Sequence, residues 1–525
     1  MTATISSNCI GHSSSYARAG FIGLMTMMLL VIGCTSVGPE YEPPESPVSQ
    51  EYRWIDIDAP RVTDNSADLA QWWTVFGDPL LNSLVDMAYQ QNLPLRVAGL
   101  RILESRANLG IALGSKYPQS QQINGGAAKV KLSDNELAGQ VVNSDFKVAD
   151  VSFDLGWEID FWGRFRDLVR SEQAQLDASI ADYDDVMVTL AAEVARSYVL
   201  MRTTEERLAL AKANVDTQQD ALRIADVRFQ NGQVTELDVQ QARVVLSNTR
   251  SAIPSLESQL RQSKLALAVL LGRTPQDMEN LLKGTAAIPA APPEVSMGLP
   301  AELLRRRPDV RRAERQLAAQ SARIGLAITD LYPRFGLAGS VGFRTSDIVT
   351  GNGLGDLFDS DNVSGFLGPF FSWNVLNYGR IKNNIRAQDA RFQQLLVGYQ
   401  NTVLSALAET EAAIVAYLKA QDQARFLGES VVAAQRSVEL SLIQYREGTT
   451  DFNRVINTLD ALVDQQDAFS ATTGDAATNL IAMYKALGGG YRAGSLREVE
   501  EYVADEDKIE LRSRTKYWRK ELPEN

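Results

Sequence analysis

Cysteine and histidine, the residues that most often do chemistry, are nearly missing from this 525-residue chain: Cys9, Cys34 and His12 are all there is. All three lie in or at the edge of an N-terminal stretch with the character of a leader. Beyond it the sequence cannot assemble a His-based metal site, a Ser/His/Asp triad or a Cys/His pair. Carboxylate-only catalysis is the one enzyme class that composition leaves open. The formal charge of −13 argues against nucleic acid, whose binders carry a basic patch or stripe. No His- or Cys-based catalytic or metal site, and no cofactor, is therefore expected.

Cys34 is the residue whose surroundings do suggest chemistry. Arg18 precedes the apolar run FIGLMTMMLLVIGC, which is the length of a signal-peptide core and short for a membrane span. The run ends in Val31 to Cys34, VIGC, which resembles the bacterial lipobox. That resemblance implies a signal peptide over 1–33, cleavage before Cys34, and acyl chains on its sulfur and new amino terminus. The alternative is an ordinary cleaved signal with an incidental cysteine. Ser36 stands where an aspartate would favour inner-membrane retention, so outer-membrane sorting is expected. Cleavage removes Arg18 and no acid, making the mature chain one charge more negative.

The elements behind this anchor are written twice. LGWEIDFWGRFRD, from Leu155, is echoed by FSWNVLNYGRIKN, from Phe371, so that Trp157, Gly163 and Arg164 recur 216 residues later as Trp373, Gly379 and Arg380. The same offset links Gly232 to Gly448, Phe229 to Tyr445 and Leu271-Gly272 to Leu487-Gly488. Upstream it drifts slightly: Tyr117-Pro118 matches Tyr332-Pro333 at 215, and Pro94 matches Pro308 at 214. Register kept over such a length marks a duplication. The first repeat with its N-terminal segment spans 34–298, the second 299–488, and a charged tail 489–525.

Each repeat predicts the same series. A helix over 80–116 or 301–331 leads to a strand hairpin over 118–162 or 333–378. A long helix over 164–231 or 380–447 and a return helix over 235–271 or 450–487 follow. From Val151 to Phe161 every second residue is Val, Phe, Leu, Trp, Ile or Phe, a period of two. Phe335, Leu337, Val341 and Phe343 repeat the alternation. Strands near ten residues long, with bulky groups on one face and small or polar ones on the other, fit a transmembrane barrel. From Phe165 to Asn231 there is neither Gly nor Pro, and from Ile381 to Glu447 only Gly398 and Gly428. Such runs predict helices of roughly 100 Å, too charged to span a membrane and far longer than ordinary globular helices. The fold class expected is thus an internally duplicated α+β membrane protein. Four strands cannot close a barrel, so several chains must share one.

With these motifs in place, the chain resembles the TolC-type outer-membrane efflux family in its lipoprotein, NodT-like branch, from Cys34 to about Leu487. GCTSVGPEYEPP, WWTVFGDPLLNSLV and LPAELLRRRPDVRRAERQL carry the resemblance. It implies a homotrimer with a twelve-stranded barrel in the outer membrane of a Gram-negative bacterium and a helical tunnel through the periplasm. The linker near 273–298 and the tail would form an equatorial belt, with the charged end from Arg497 onward disordered. The function implied is a passive exit duct of a tripartite efflux system. A periplasmic adaptor (membrane fusion protein) would join it to an inner-membrane pump, proton-driven or ABC, to expel small toxic compounds or drugs. The alternatives are the duct of a type I, ABC-driven secretion system, or a structural periplasmic lipoprotein with no transport role.

The resemblance also places residues. Arg228, Gly232 and Val234 at the first hairpin tip, and Arg446, Gly448 and Thr449 at the second, are adaptor-contact candidates. The glycines equally suit a turn that needs positive φ, and the arginines a solvated helix C-terminus. The periplasmic gate of the family is commonly acidic, yet here Asn457 stands where an acid is usual. Asp238, Arg454, Asn457 and Asp460 either form a hydrogen-bonded or Arg–Asp latch in this chain or are ordinary coiled-coil surface charges.

Overall fold

The computed structural model describes residues 36–44, 62–63, 69–133, 135, 144–282, 287–292, 295–296, 306–348, 353–492 and 497–523. The leader, Cys34 and the expected helix start at 301–305 lie outside them. In chain order the helices are α1 (Pro79–Gln91), α2 (Leu93–Gly114), α3 (Arg164–Gln230), α4 (Glu236–Leu270), α5 (Pro275–Leu281), α6 (Pro308–Thr329), α7 (Arg380–Arg446), α8 (Phe452–Ala486) and α9 (Asp505–Arg514). The main strands are β1 (Ser120–Lys131), β2 (Asp145–Glu158), β3 (Arg334–Ser346) and β4 (Val363–Ser372). Among the described residues no helix is long and apolar enough to cross a membrane.

The chain divides into two compact units. One comprises 1–42, 108–173 and 318–393; the other comprises 43–107, 174–317 and 394–525. The first holds the sheet, an antiparallel meander β1-β2-β3-β4 whose outer strands have no further partner among the described residues. Register puts Ile123 opposite Phe153, Phe153 opposite Val341, and Leu155 opposite Gly339, which faces Leu367. Because paired residues project to one side, these apolar groups line a common face, on which Ile123, Phe153, Val341 and Leu367 are exposed. The opposite face is polar over its first two strands: Asn124 Nδ2 donates to Asp154 Oδ2 at 2.6 Å, and Ser152 Oγ donates to the same carboxylate at 3.2 Å. An exposed apolar face backed by a hydrogen-bonded polar one is the inverse of a soluble sheet, and it fits lipid outside and water inside.

Strand gives way to helix at Gly163 and Gly379, whose φ values of 87° and 82° lie in the region that favours glycine. After Gly163 the Asp160 carboxylate accepts from the amides of Phe165 and Arg166, both at 3.0 Å, capping the free donors of the new helix. The segment ahead of the repeats also belongs to this unit. Gly38 lies against Gly325, where an added Cβ would come within 2.5 Å of the Gly325 Cα. Ser36 Oγ donates to Asp167 at 3.4 Å.

The second unit corrects two expectations. The single helix over 80–116 is two, α1 and α2, because Asn92 adopts an extended ψ of 124° and caps the second. Its Oδ1 accepts from the Leu95 amide at 2.9 Å, while Pro94, lacking an N–H, suits a first turn. Pro308 likewise opens α6, so the matched prolines mark helix starts rather than interior positions. The charged end from Arg497 is not disordered. It forms α9, its Asp507 takes a two-pronged hydrogen bond from Arg96 at 2.8 and 3.0 Å, and Leu522 is buried with Leu103 and Val503. A few apolar anchors and one bidentate pair suffice to fix a segment that reads as charged.

The described part of the LPAELLRRRPDVRRAERQL motif, from Arg306 on, belongs to this unit's scaffold. Arg311 Nη1 meets Asp184 at 3.4 Å, and Arg312 Nη1 meets Asp182 and Asp185 at 2.6 and 2.9 Å, tying α6 to α3. Burial raises the Asp184 carboxyl to about 6 despite Arg311. Trp72 stacks on Tyr484 with centroids 5.3 Å apart, which places the WWTVF motif against α8.

Candidate functional site at the helical hairpin tips

Two helical hairpins end together in the second unit. Each first helix stops in a glycine with positive φ, Gly232 at 69° and Gly448 at 76°. The terminal carbonyls are satisfied in the same way twice. Gln233 N donates to Arg228 O and Gly232 N to Phe229 O, both at 2.9 Å; Thr449 N donates to Gln444 O at 2.9 Å and Gly448 N to Tyr445 O at 3.1 Å. These are Schellman caps. The glycines are therefore required by the turn itself, with open space around Gly232 for anything that docks.

The two tips are bound to each other. Ala221 and Ala225 of α3, Val239 and Ala242 of α4, Val438 and Tyr445 of α7, and Phe452, Val455 and Leu459 of α8 form one buried cluster. Small residues on α3 let the helices approach closely, and Tyr445 fills the centre. Its hydroxyl donates to Asp238 Oδ2 at 3.1 Å, and the Arg228 guanidinium lies over its ring at 4.7 Å. Burial, then the Asp238 charge, raises the Tyr445 pKa, so the hydroxyl stays a donor at every physiological pH. A cation, a ring and a carboxylate drawn from α3, α7 and α4 thus clasp one hairpin to the other.

Among the adaptor-contact candidates, Gly232, Arg446, Gly448 and Thr449 are exposed, whereas Arg228 is half-buried on Tyr445 and Val234 is half-buried against the tip cluster. Within one chain the expected latch is not formed. Asp238 is engaged by Tyr445, and Arg454, Asn457 and Asp460 are exposed on α8, with the Arg454 amide donating to Asp451 at 3.1 Å as part of the helix cap. Asp460 borders a groove of about 630 Å³ together with Asp464 and Asp467; burial, then Asp464, raises its pKa. Tyr445 is the residue that reading the sequence missed. Its signal was the repeat itself, since the matching Phe229 is 40% exposed and Tyr445 1%, and only one copy carries a hydroxyl. Arg454 is likewise the repeat counterpart of Asp238, 216 positions on, so the copies have opposite charges at one place.

A duplicated chain with a lipid-facing sheet and long helical hairpins defines an outer-membrane channel. The profile of the Outer membrane efflux protein family matches residues 84–273 and again 299–489, and the chain belongs to that family. It is a channel component of the outer membrane, not an enzyme. The chain is 30% identical to Nodulation protein T of Rhizobium leguminosarum bv. trifolii, over 88% of its own length and 96% of that protein. It is equally 30% identical to the pyoverdine export outer membrane protein OpmQ of Pseudomonas aeruginosa, over 90% of its length and 97% of that protein. The solved outer-membrane channel OprN superposes with a TM-score of 0.79 at 30% identity, covering 87% of this chain and 99% of that one. These relatives support the duct over a structural lipoprotein.

Proposed function

We propose that three copies of this chain form the exit duct of a tripartite pump, docking to a periplasmic adaptor and an inner-membrane transporter to expel small toxic compounds. The observation that carries this reading is a four-stranded sheet with one exposed apolar face, a face opposite it that is polar over β1 and β2, and both edges unpaired among the described residues. Unpaired edges at membrane depth are not tolerated, so other copies must continue the sheet. A half-made contact supports the same closure. At the first junction the Trp162 ring stacks on Tyr332 of the second repeat at 4.7 Å; the matching residues of the other junction, Tyr378 and Tyr117, are 97% and 70% exposed. A neighbouring copy would bring the two together.

The docking surface is the exposed part of the two tips: Gly232, Arg446, Gly448 and Thr449, with Arg228 and Val234 supporting it from beneath. Val234 is too enclosed to present a probe, and the adjacent Gln233 is exposed. With Cys34 blocked by lipid, Gln233→Cys supplies the only free thiol of the mature protein. Crosslinking it in intact cells is expected to capture an adaptor belonging to a proton-driven drug pump. Capture of a peptidase-linked ABC exporter's adaptor would instead favour secretion, and capture of no adaptor would overturn the docking surface. The export named for OpmQ favours the efflux reading.

The resting duct is closed at the tips, by the Tyr445–Asp238 clasp within each copy and by a latch among Arg454, Asn457, Asp460 and Asp238 between copies. Arg454→Ala is expected to raise single-channel conductance and drug leakage; unchanged values of both would remove the latch. The acylated Cys34 holds the chain to the membrane. Two residues later Ser36 meets Asp167 at the start of α3, a short reach from the end of β2.

A further inference from the structure

The two junctions where strand becomes helix carry the same cations but not the same acids. At the first, Arg164 Nη1 binds Asp330 at 2.6 Å, Arg166 Nε meets Asp160 at 3.3 Å and Arg170 Nη1 meets Asp167 at 3.1 Å. Every cation is matched. At the second, 216 residues on, all three cations persist as Arg380, Lys382 and Arg386. Their acids do not: Leu376 replaces Asp160, Asn383 replaces Asp167, and Ser115 stands at the place corresponding to Asp330. Among the described residues none of these three cations makes an ion pair, and all three are exposed. The nearest polar contact is Arg386 Nη1 donating to Asn383 Oδ1 at 3.2 Å.

The repeat relation supplies no acid for them from a second copy. Where the repeat relation would set a neighbour's segment, it offers Ser115, Lys116 and Tyr117, with no acid and one further cation. The position in the fold names the occupant. Trp373 and Tyr378, both exposed, follow β4 directly as aromatic residues do at the edge of a bilayer, and α7 begins within eight residues of the strand's end. Lys382 and Arg386 share one flank of α7 a single turn apart; Arg380 lies on the other.

We infer that Arg380, Lys382 and Arg386 form a binding site for the anionic headgroups of phospholipids in the leaflet facing the periplasm, present once per chain at the second junction and cancelled by acids at the first. Long basic side chains below an aromatic belt reach back to phosphates while their stems lie along apolar surface. The assignment rests on the barrel reading above.

The test is native mass spectrometry of the purified, assembled protein exchanged into mixed micelles of phosphatidylglycerol and phosphatidylethanolamine. The wild type is expected to retain phosphatidylglycerol preferentially, and R380Q/K382Q/R386Q to lose that preference by about tenfold or more, with each cation near an anionic surface contributing about fivefold. R425Q/R436Q, at exposed arginines of α7 far from the sheet, serves as the control and is expected to leave the preference intact. Equal preference in the triple variant and the wild type would overturn the site. So would equal protection against heat by inorganic phosphate and by phosphatidylglycerol, which would mark a general anion effect. A wild type with no heat-modifiable oligomer would overturn the barrel reading and this site with it, whereas an intact oligomer without lipid preference overturns the site alone.

Discussion

Tyr445→Phe is expected to open the duct while leaving the fold intact. The substitution keeps the ring, its packing against Phe452 at 5.1 Å and the Arg228 guanidinium over it. It removes only the donor to Asp238. A hydrogen bond to a charged acceptor contributes about 1.5–3 kcal/mol, and each 1.4 kcal/mol is about a tenfold change in a two-state equilibrium. The open fraction is therefore expected to rise by about tenfold or more, read as conductance in planar bilayers and as uptake of a large antibiotic by cells. Asp238→Asn, which keeps an acceptor without the charge, should give a smaller change in the same direction. Arg228→Gln removes the cation but not the hydroxyl bond and is expected to fall between them. Wild-type conductance in Tyr445→Phe would mean that the clasp is packing alone and that another contact holds the tips.

Arg307→Ala is expected to cost about 1.5–3 kcal/mol of stability, the range for losing hydrogen bonds to charged groups, because Glu409 stays 61% exposed. The guanidinium is almost enclosed and binds three acceptors: Asp309 at 2.8 and 3.0 Å, Glu409 at 2.9 Å and the Ala486 carbonyl at 2.8 Å. That carbonyl closes α8, whose last turn gives it no partner within the helix; Thr410 Oγ1 also donates to it, at 3.4 Å. Gly488 packs against the arginine's own backbone, 3.3 Å from where its Cβ would lie, leaving little room to rearrange. Arg307→Lys should recover only part of the loss, because a point-like ammonium cannot satisfy three acceptors set around a planar fork. The check is the heat-resistance of the assembled protein and its denaturant midpoint. A loss under about 1 kcal/mol would show that water or a neighbouring side chain takes over the acceptors, contrary to this assignment.

Much of the architecture was legible because it is written in periodicities and in a duplication. Alternation over Val151 to Phe161 follows from the pleat, and two runs of 67 residues nearly free of Gly and Pro leave the backbone no reason to stop a helix. Glycines at 163, 232, 379 and 448 are legible for the same local reason, each sitting at positive φ. The break at Asn92 was hidden because it depends on a side chain turning back to cap the next helix and donating to Leu270 O at 2.9 Å, across 178 residues. The order of the tail was hidden likewise, since Asp507 finds Arg96 only after folding.

The sequence by itself therefore determined the duplication, the strand-to-helix handover, the long helices and the absence of ordinary catalytic chemistry, because these arise from residue type and short-range spacing. Only the tertiary structure decided how the two copies are used. Tyr445 and Phe229 differ by one hydroxyl, yet one is the buried hub of the tips and the other faces solvent. Arg164 and Arg380 are the same residue in the same motif, yet one is neutralised and the other has no acid partner among the described residues. Charge balance and burial depend on which side chains meet across hundreds of residues, and spacing along the chain does not carry that information.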